Sequence, residues 1–280
     1  MPEGQIVASG LAFPEGPVWH DGSVYFTEIT GGRISRLNSL GEVEVAGQTG
    51  GGPNGATLGP DGALWITQNG GMAPGQRAVA GIQRLTIDGG ATGEATMAFT
   101  SVGGVRLEGP NDLAFGPDGR LWFTDPRGAA DPNHNDKPGR LFAVDIATGE
   151  GELIAEVGPS FPNGIAFDAN GTLLWTESFT RNVMKMVDGT PEVVIALPDK
   201  HMPDGMCFGA DGRLYVASTF AHCVSVVDLS SGSAEIVDRL MCGDGMPTNC
   251  CFAGTSLYVT ESRRHTLYRF DLGVEGLAPL

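Results

Sequence analysis

The chain is short of positive charge: 17 lysines and arginines stand against 33 aspartates and glutamates, a formal net charge of −16. Nucleic acid and anionic membrane surfaces both demand basic patches, so neither fits as the main partner. No apolar run is long enough to span a bilayer, and the opening MPEGQIVASG lacks the charged and apolar regions of an export signal. Cysteines number five, an odd count without a C-x-x-C pair for zinc, so free thiols in the cytoplasm are the expectation. A sustained 3.6-residue apolar period is missing, which leaves little room for helices. There is no G-x-S-x-G nucleophile elbow. None of the five histidines (His20, His134, His201, His222, His265) joins a serine or cysteine in a triad-like pattern. Serine and cysteine hydrolase chemistry is therefore set aside.

Glycine (43) and proline (18) are abundant instead, dispersed at regular intervals as in a chain of short strands and tight turns. The stretch GPNDLAFGPDGRLWFTD, from Gly109 to Asp125, shows the unit: a polar turn, an apolar run, a Pro-Asp-Gly turn, then a β-rich run. Copies begin at Phe13 (FPEGPVWHDGSVYFTE), Gly52 (GPNGATLGPDGALWITQ), Phe161 (FPNGIAFDANGTLLWTES), Met202 (MPDGMCFGADGRLYVAST) and Met246 (MPTNCCFAGTSLYVTES). The residue after the first proline falls at 15, 54, 111, 163, 204 and 248, giving intervals of 39, 57, 52, 41 and 44 residues. One hairpin per 40 to 45 residues, roughly, is the mark of a β-propeller with about four strands per blade. Six copies predict an all-β, six-bladed propeller of four-stranded antiparallel blades, one domain over residues 1–280. Residues 5–8 have no hairpin of their own, so they should pair with 266–270 and close the ring.

Each second strand runs back to Glu28, Gln68, Asp125, Glu177, Ser218 or Glu261, so these ends share one face with the Pro-X turns. Two long irregular segments, 69–81 and 126–139, leave from that same face, and loops of such length are usually functional. The six Pro-X residues, nearest the axis, are Glu15, Asn54, Asn111, Asn163, Asp204 and Thr248, and every one carries a side-chain oxygen. Turn preference accounts for asparagine, aspartate and threonine. It does not account for Glu15, nor for two carboxylates aimed at one channel mouth, where each would raise the other's pKa. Converging carboxylate and amide oxygens suit a hard divalent cation.

The P-E-G-P-V-W opening with P-N-D, P-N-G-I-A-F and P-D-G, in that order and spacing, resembles the SMP-30/gluconolactonase/LRE family over essentially the whole chain. The resemblance implies a six-bladed propeller with one axial divalent metal (Ca, Zn, Mg, Mn or Fe(II)) and hydrolysis of a small-molecule lactone. It places metal ligands on Glu15, Asn163 and Asp204, with Asp204 also the general base, and sets Asn111 against metal-bound water or substrate. Asn54, Arg127 and His201 are further candidate substrate contacts. One departure concerns the substrate: sugar-lactone members carry an arginine two residues before the blade-three asparagine, where this chain has Gly109. Arg127 and Arg77, on the two long loops, are the candidates to replace it. Two other functions fit the same pattern: a non-enzymatic propeller that binds metal or a protein partner, and action on a phosphotriester or activated ester. The sequence leaves the oligomeric state open.

Overall fold

Residues 3–87, 92–230 and 232–278 are described by a computed structural model. They form six four-stranded antiparallel blades around an axis. Blade one is Pro14–His20, Ser23–Glu28, Arg33–Leu37 and Val43–Gln48, counted outward from the axis. Blades three, four and five follow the same plan, starting with Leu113–Phe115, Pro162–Phe167 and Pro203–Phe208. Blade two reaches its outer strand, Thr96–Phe99, only after Gly93–Glu94 has run parallel to the outer edge of blade one. Blade six joins the C-terminal strands Pro247–Ala253, Ser256–Glu261 and Thr266–Asp271 to the N-terminal strand Gln5–Ser9. The N-terminal run pairs with 266–270 as expected, and the register sets Gln5 opposite Arg269 and Ser9 opposite Thr266. Among the described residues the helical content is one 3-10 turn, Thr219–Ala221.

The two long repeat intervals have separate causes. Between Asn54 and Asn111 the chain adds the segment before Gly81–Thr86, the excursion to blade one, and a small hairpin, Ser101–Val102 with Val105–Arg106. Between Asn111 and Asn163 it adds the loop that precedes Gly139–Val144.

Packing follows from the strand alternation. Six apolar clusters fill the six blade boundaries, such as Val24, Phe26 and Leu267 between blades six and one, or Tyr215, Val224, Leu257 and Phe270 between five and six. Each blade is therefore buried on both faces, and strands such as Gly139–Val144 are buried at every residue. The Pro-Asp-Gly turns are locked to the strands they serve, because Asp61 and Asp118 accept from the indole N–H groups of Trp65 and Trp122 at 3.1 and 3.0 Å.

Candidate functional site

Five of the six innermost strands begin on the first proline of their repeat, and the ladder slips within the next few residues. A bulge of this kind re-aims a side chain. Here it brings Glu15, Asn54, Asn163 and Asp204 to the floor of one cavity, which Asn111 shares from the start of blade three. The backbone beneath each residue is fixed from the neighbouring blade. Thr27, Thr124 and Thr176 donate from their hydroxyls to the carbonyls of Asn54, Asn163 and Asp204 at 2.5 to 2.7 Å. Thr67 does the same for Asn111, and Thr248 reaches the carbonyl of Pro14 at 3.1 Å. The second-strand ends do not enter the cavity. They hold its rim from behind: Glu28, Gln68, Asp125 and Glu261 accept the backbone N–H groups of Ala12, Gly52, Gly109 and Met246.

Below the ring the channel is barred. The residue after Pro-X is glycine in four repeats but Asp112 in blade three and Asn249 in blade six, on opposite sides of the axis. Asn249 Nδ2 donates to Asp112 Oδ2 at 3.2 Å. Glycine at the other positions makes room for the bar: a Cβ on Gly55 or Gly205 would lie 2.4 Å from Asp112 Oδ1 or 2.0 Å from Asn249 Cγ. The bar separates the upper cavity, about 500 Å³, from a larger and mainly apolar one of about 600 Å³ at the opposite face. The ring of oxygens opens on the upper, smaller cavity.

Three buried carboxyls influence one another electrostatically here. Burial pushes Glu15 well above its ordinary range, and the charges of Asp204 and Asp112 add to the shift. Burial and the Asp112 charge push Asp204 up to about 8, against the Asn163 amide, which eases it. Asp112, raised by burial, sits at about 6. No basic side chain contributes to any of these shifts.

Residues 13–273 match the family model described as the SMP-30/Gluconolactonase/LRE-like region. The chain belongs to this family. A gluconolactonase of Zymomonas mobilis is 26% identical, over 92% of this chain and 78% of its own. A diisopropyl-fluorophosphatase of Loligo vulgaris is also 26% identical, over 60% of this chain and 59% of its own. Among solved structures, regucalcin of Agrobacterium tumefaciens, a calcium-binding protein, superposes with a TM-score of 0.78 at 18% identity, covering 99% of this chain and 96% of that one.

The residues of the axial ring are of a kind that could hold a divalent cation. Glu15 and Asp204 are two acids short of countercharge, and Asn163 Nδ2 is tied to Ser178 Oγ at 3.2 Å, which leaves its oxygen as the available donor. Among the described residues no three His, Cys, Asp or Glu side chains gather to hold an ion by themselves. The ion would need the amide oxygens as well as the acids.

One substrate candidate lies otherwise than the sequence suggested, and another is engaged with acids. His201 is neither on the rim nor exposed: it is buried, its Nδ1 3.0 Å from Ser225 Oγ, and it does not line the cavity. Burial holds its pKa below the ordinary value. Arg127 does line the cavity, but its guanidinium faces Glu108 at 3.3 Å and Glu156 at 3.5 Å. Arg77, on the other long loop, is exposed and does not line the cavity. Sequence reasoning missed the Asp112–Asn249 bar. The signal was present in the repeats, which read P-x-G four times but P-N-D and P-T-N in blades three and six. All five cysteines are free thiols, as expected.

Proposed function

We propose that this protein is a hydrolase that opens a small lactone with water at the floor of the upper cavity. The observation that carries the reading is the pair of buried acids, Glu15 and Asp204, set beside three amides, and among the described residues no basic side chain pairs with either. When bound there, a divalent cation supplies Lewis acidity and lowers the pKa of water in its coordination sphere. Glu15, Asn163 and Asp204 would hold it. Asp204 takes the proton of the attacking water as that oxygen bonds to the acyl carbon. The ring C–O bond then breaks, and the proton passes from Asp204 to the departing alkoxide, giving a hydroxy acid. Asn111 and Asn54 orient the ester group from blades three and two. The likeness to a gluconolactonase supports this chemistry.

The likeness to a diisopropyl-fluorophosphatase favours a second reading, in which the same water attacks the phosphorus of a phosphotriester-like substrate, gives its proton to Asp204 and expels the leaving group as its bond to phosphorus breaks. The five free thiols support a reducing compartment. The test is titration of acid released from a lactone panel, with and without chelator. Turnover that stops with chelator and returns with added metal is expected. Absence of turnover on every lactone under metal would overturn the reading.

A further inference from the structure

The residue before each Pro-X proline forms a second ring, one step above the ring of oxygens. It reads Phe13, Gly52, Gly109, Phe161, Met202 and Met246, and all but Gly52 line the upper cavity. Four of the six are large and apolar, contributed by blades one, four, five and six. Phe220, 47% exposed at the 3-10 turn after the second strand of blade five, extends this wall to the mouth. Phe13 and Phe161 hold φ of +58° and +56°, a left-handed conformation that bulky residues rarely adopt. Glycine or asparagine would sit there with less strain, so the backbone alone does not call for phenylalanine.

Most polar groups of the same wall are already engaged, although the buried Nε of Arg127 has no hydrogen-bond partner. Ser178 Oγ donates to the Pro203 carbonyl, and Thr219 Oγ1 to that of Met202. Asn69 Oδ1 accepts from the Gly71 N–H. Glu108 takes Lys137 at 2.8 Å and shares Arg127 with Glu156. A polyhydroxylated ring would press its hydroxyls against phenylalanine and methionine, or would have to break these bonds. Leaving such groups unpaired is strongly penalised. An anionic substrate would meet Glu108 and the axial acids, while the charge of Arg127 is shared between Glu108 and Glu156.

We propose that the substrate is a neutral lactone or ester with an aryl or alkyl body, seated against Phe13, Phe161, Met202, Met246 and Phe220, and not a sugar lactone. The proposal rests on the hydrolase reading for its chemistry, though not for its binding preference.

The experiment has two arms, both with added metal. In the first, kcat/KM is compared for 3,4-dihydrocoumarin and glucono-δ-lactone, on the wild type and on Phe220→Ser, whose exposed position leaves the packing intact. The aryl lactone should lead by about 100-fold or more, and Phe220→Ser should lower its kcat/KM about 10-fold, mainly through KM. In the second, calorimetry measures binding of two lactams that resist hydrolysis, 3,4-dihydro-2-quinolinone and gluconolactam. A preference for the sugar compounds in turnover or in binding overturns this inference and leaves the hydrolase reading standing. Selective binding of the quinolinone without turnover of any lactone overturns the hydrolase reading and leaves this inference standing. If neither lactam binds and neither lactone turns over, both are overturned.

Discussion

Asp112 and Asn249 stand where four of the six repeats have glycine, and the channel is closed by that exchange. Asn249 supplies the Asp112 carboxylate with a side-chain donor, beside the Leu113 N–H at 2.9 Å. Removing the donor leaves buried acceptor capacity unmet, so Asn249→Ala should cost about 1–3 kcal/mol near pH 7, read from urea midpoints. The pH dependence has a definite sign. The Asp112 pKa is raised from 3.8 unfolded to about 6 folded, so the folded state binds the extra proton. Its contribution to stability is complete below the unfolded pKa and is lost as pH rises through about 6. The penalty of Asn249→Ala should therefore shrink near pH 5, where protonated Asp112 has less need of the amide donor. An equal penalty at both pH values would contradict this. The ring of oxygens was legible from repeat position alone. The bar was not read, although P-N-D and P-T-N depart from P-x-G and six blades set the third opposite the sixth, because the sequence does not show that the two side chains reach across the axis.

At the scale of the element, a strand threonine of one blade holds the backbone under the functional residue of the next. Thr176 has this relation to Asp204, and in the next blade the corresponding residue, Ala217, has no hydroxyl to give. Thr176→Val keeps the shape and removes the bond. It should cost about 1 kcal/mol in stability while lowering kcat about 10-fold, because small misplacements of a catalytic group are expensive in rate. A fall in stability with kcat unchanged would make the threonine purely structural. Strands were legible wherever a turn signal bounded an alternating run. The outer strand of blade two was harder to read, since its partner arrives only after a detour along blade one. His201 misled for a related reason: three residues from Asp204 in sequence, it turns into the blade to meet Ser225.

At the scale of the molecule, the ring is held shut by one short strand. Gln5–Ser9 supplies the outer edge of blade six, and Ala8 joins the cluster between blades six and one. Deleting residues 1–9 exposes that edge and should lower the melting temperature by roughly 10 °C, the scale for losing a few kcal/mol in a chain of this size. An unchanged melt would mean that closure does not depend on this strand. The blade number was legible because the repeat is a whole-molecule signal. The apolar wall was not read from the sequence, because its ring of Phe, Gly and Met precedes the motif proline and shares no chemistry with the residue that follows.

The central claim is that Asp204 takes the proton of the attacking water, and the measurement that tests it most directly is lactone turnover against metal concentration for Asp204→Asn beside Glu15→Gln. Asparagine keeps an oxygen donor and the volume of aspartate but loses its basicity. At saturating metal Glu15→Gln should recover part of its activity, whereas Asp204→Asn should remain about 10²-fold or more below the wild type. Recovery of Asp204→Asn to near wild-type turnover would reduce Asp204 to a ligand and contradict the account.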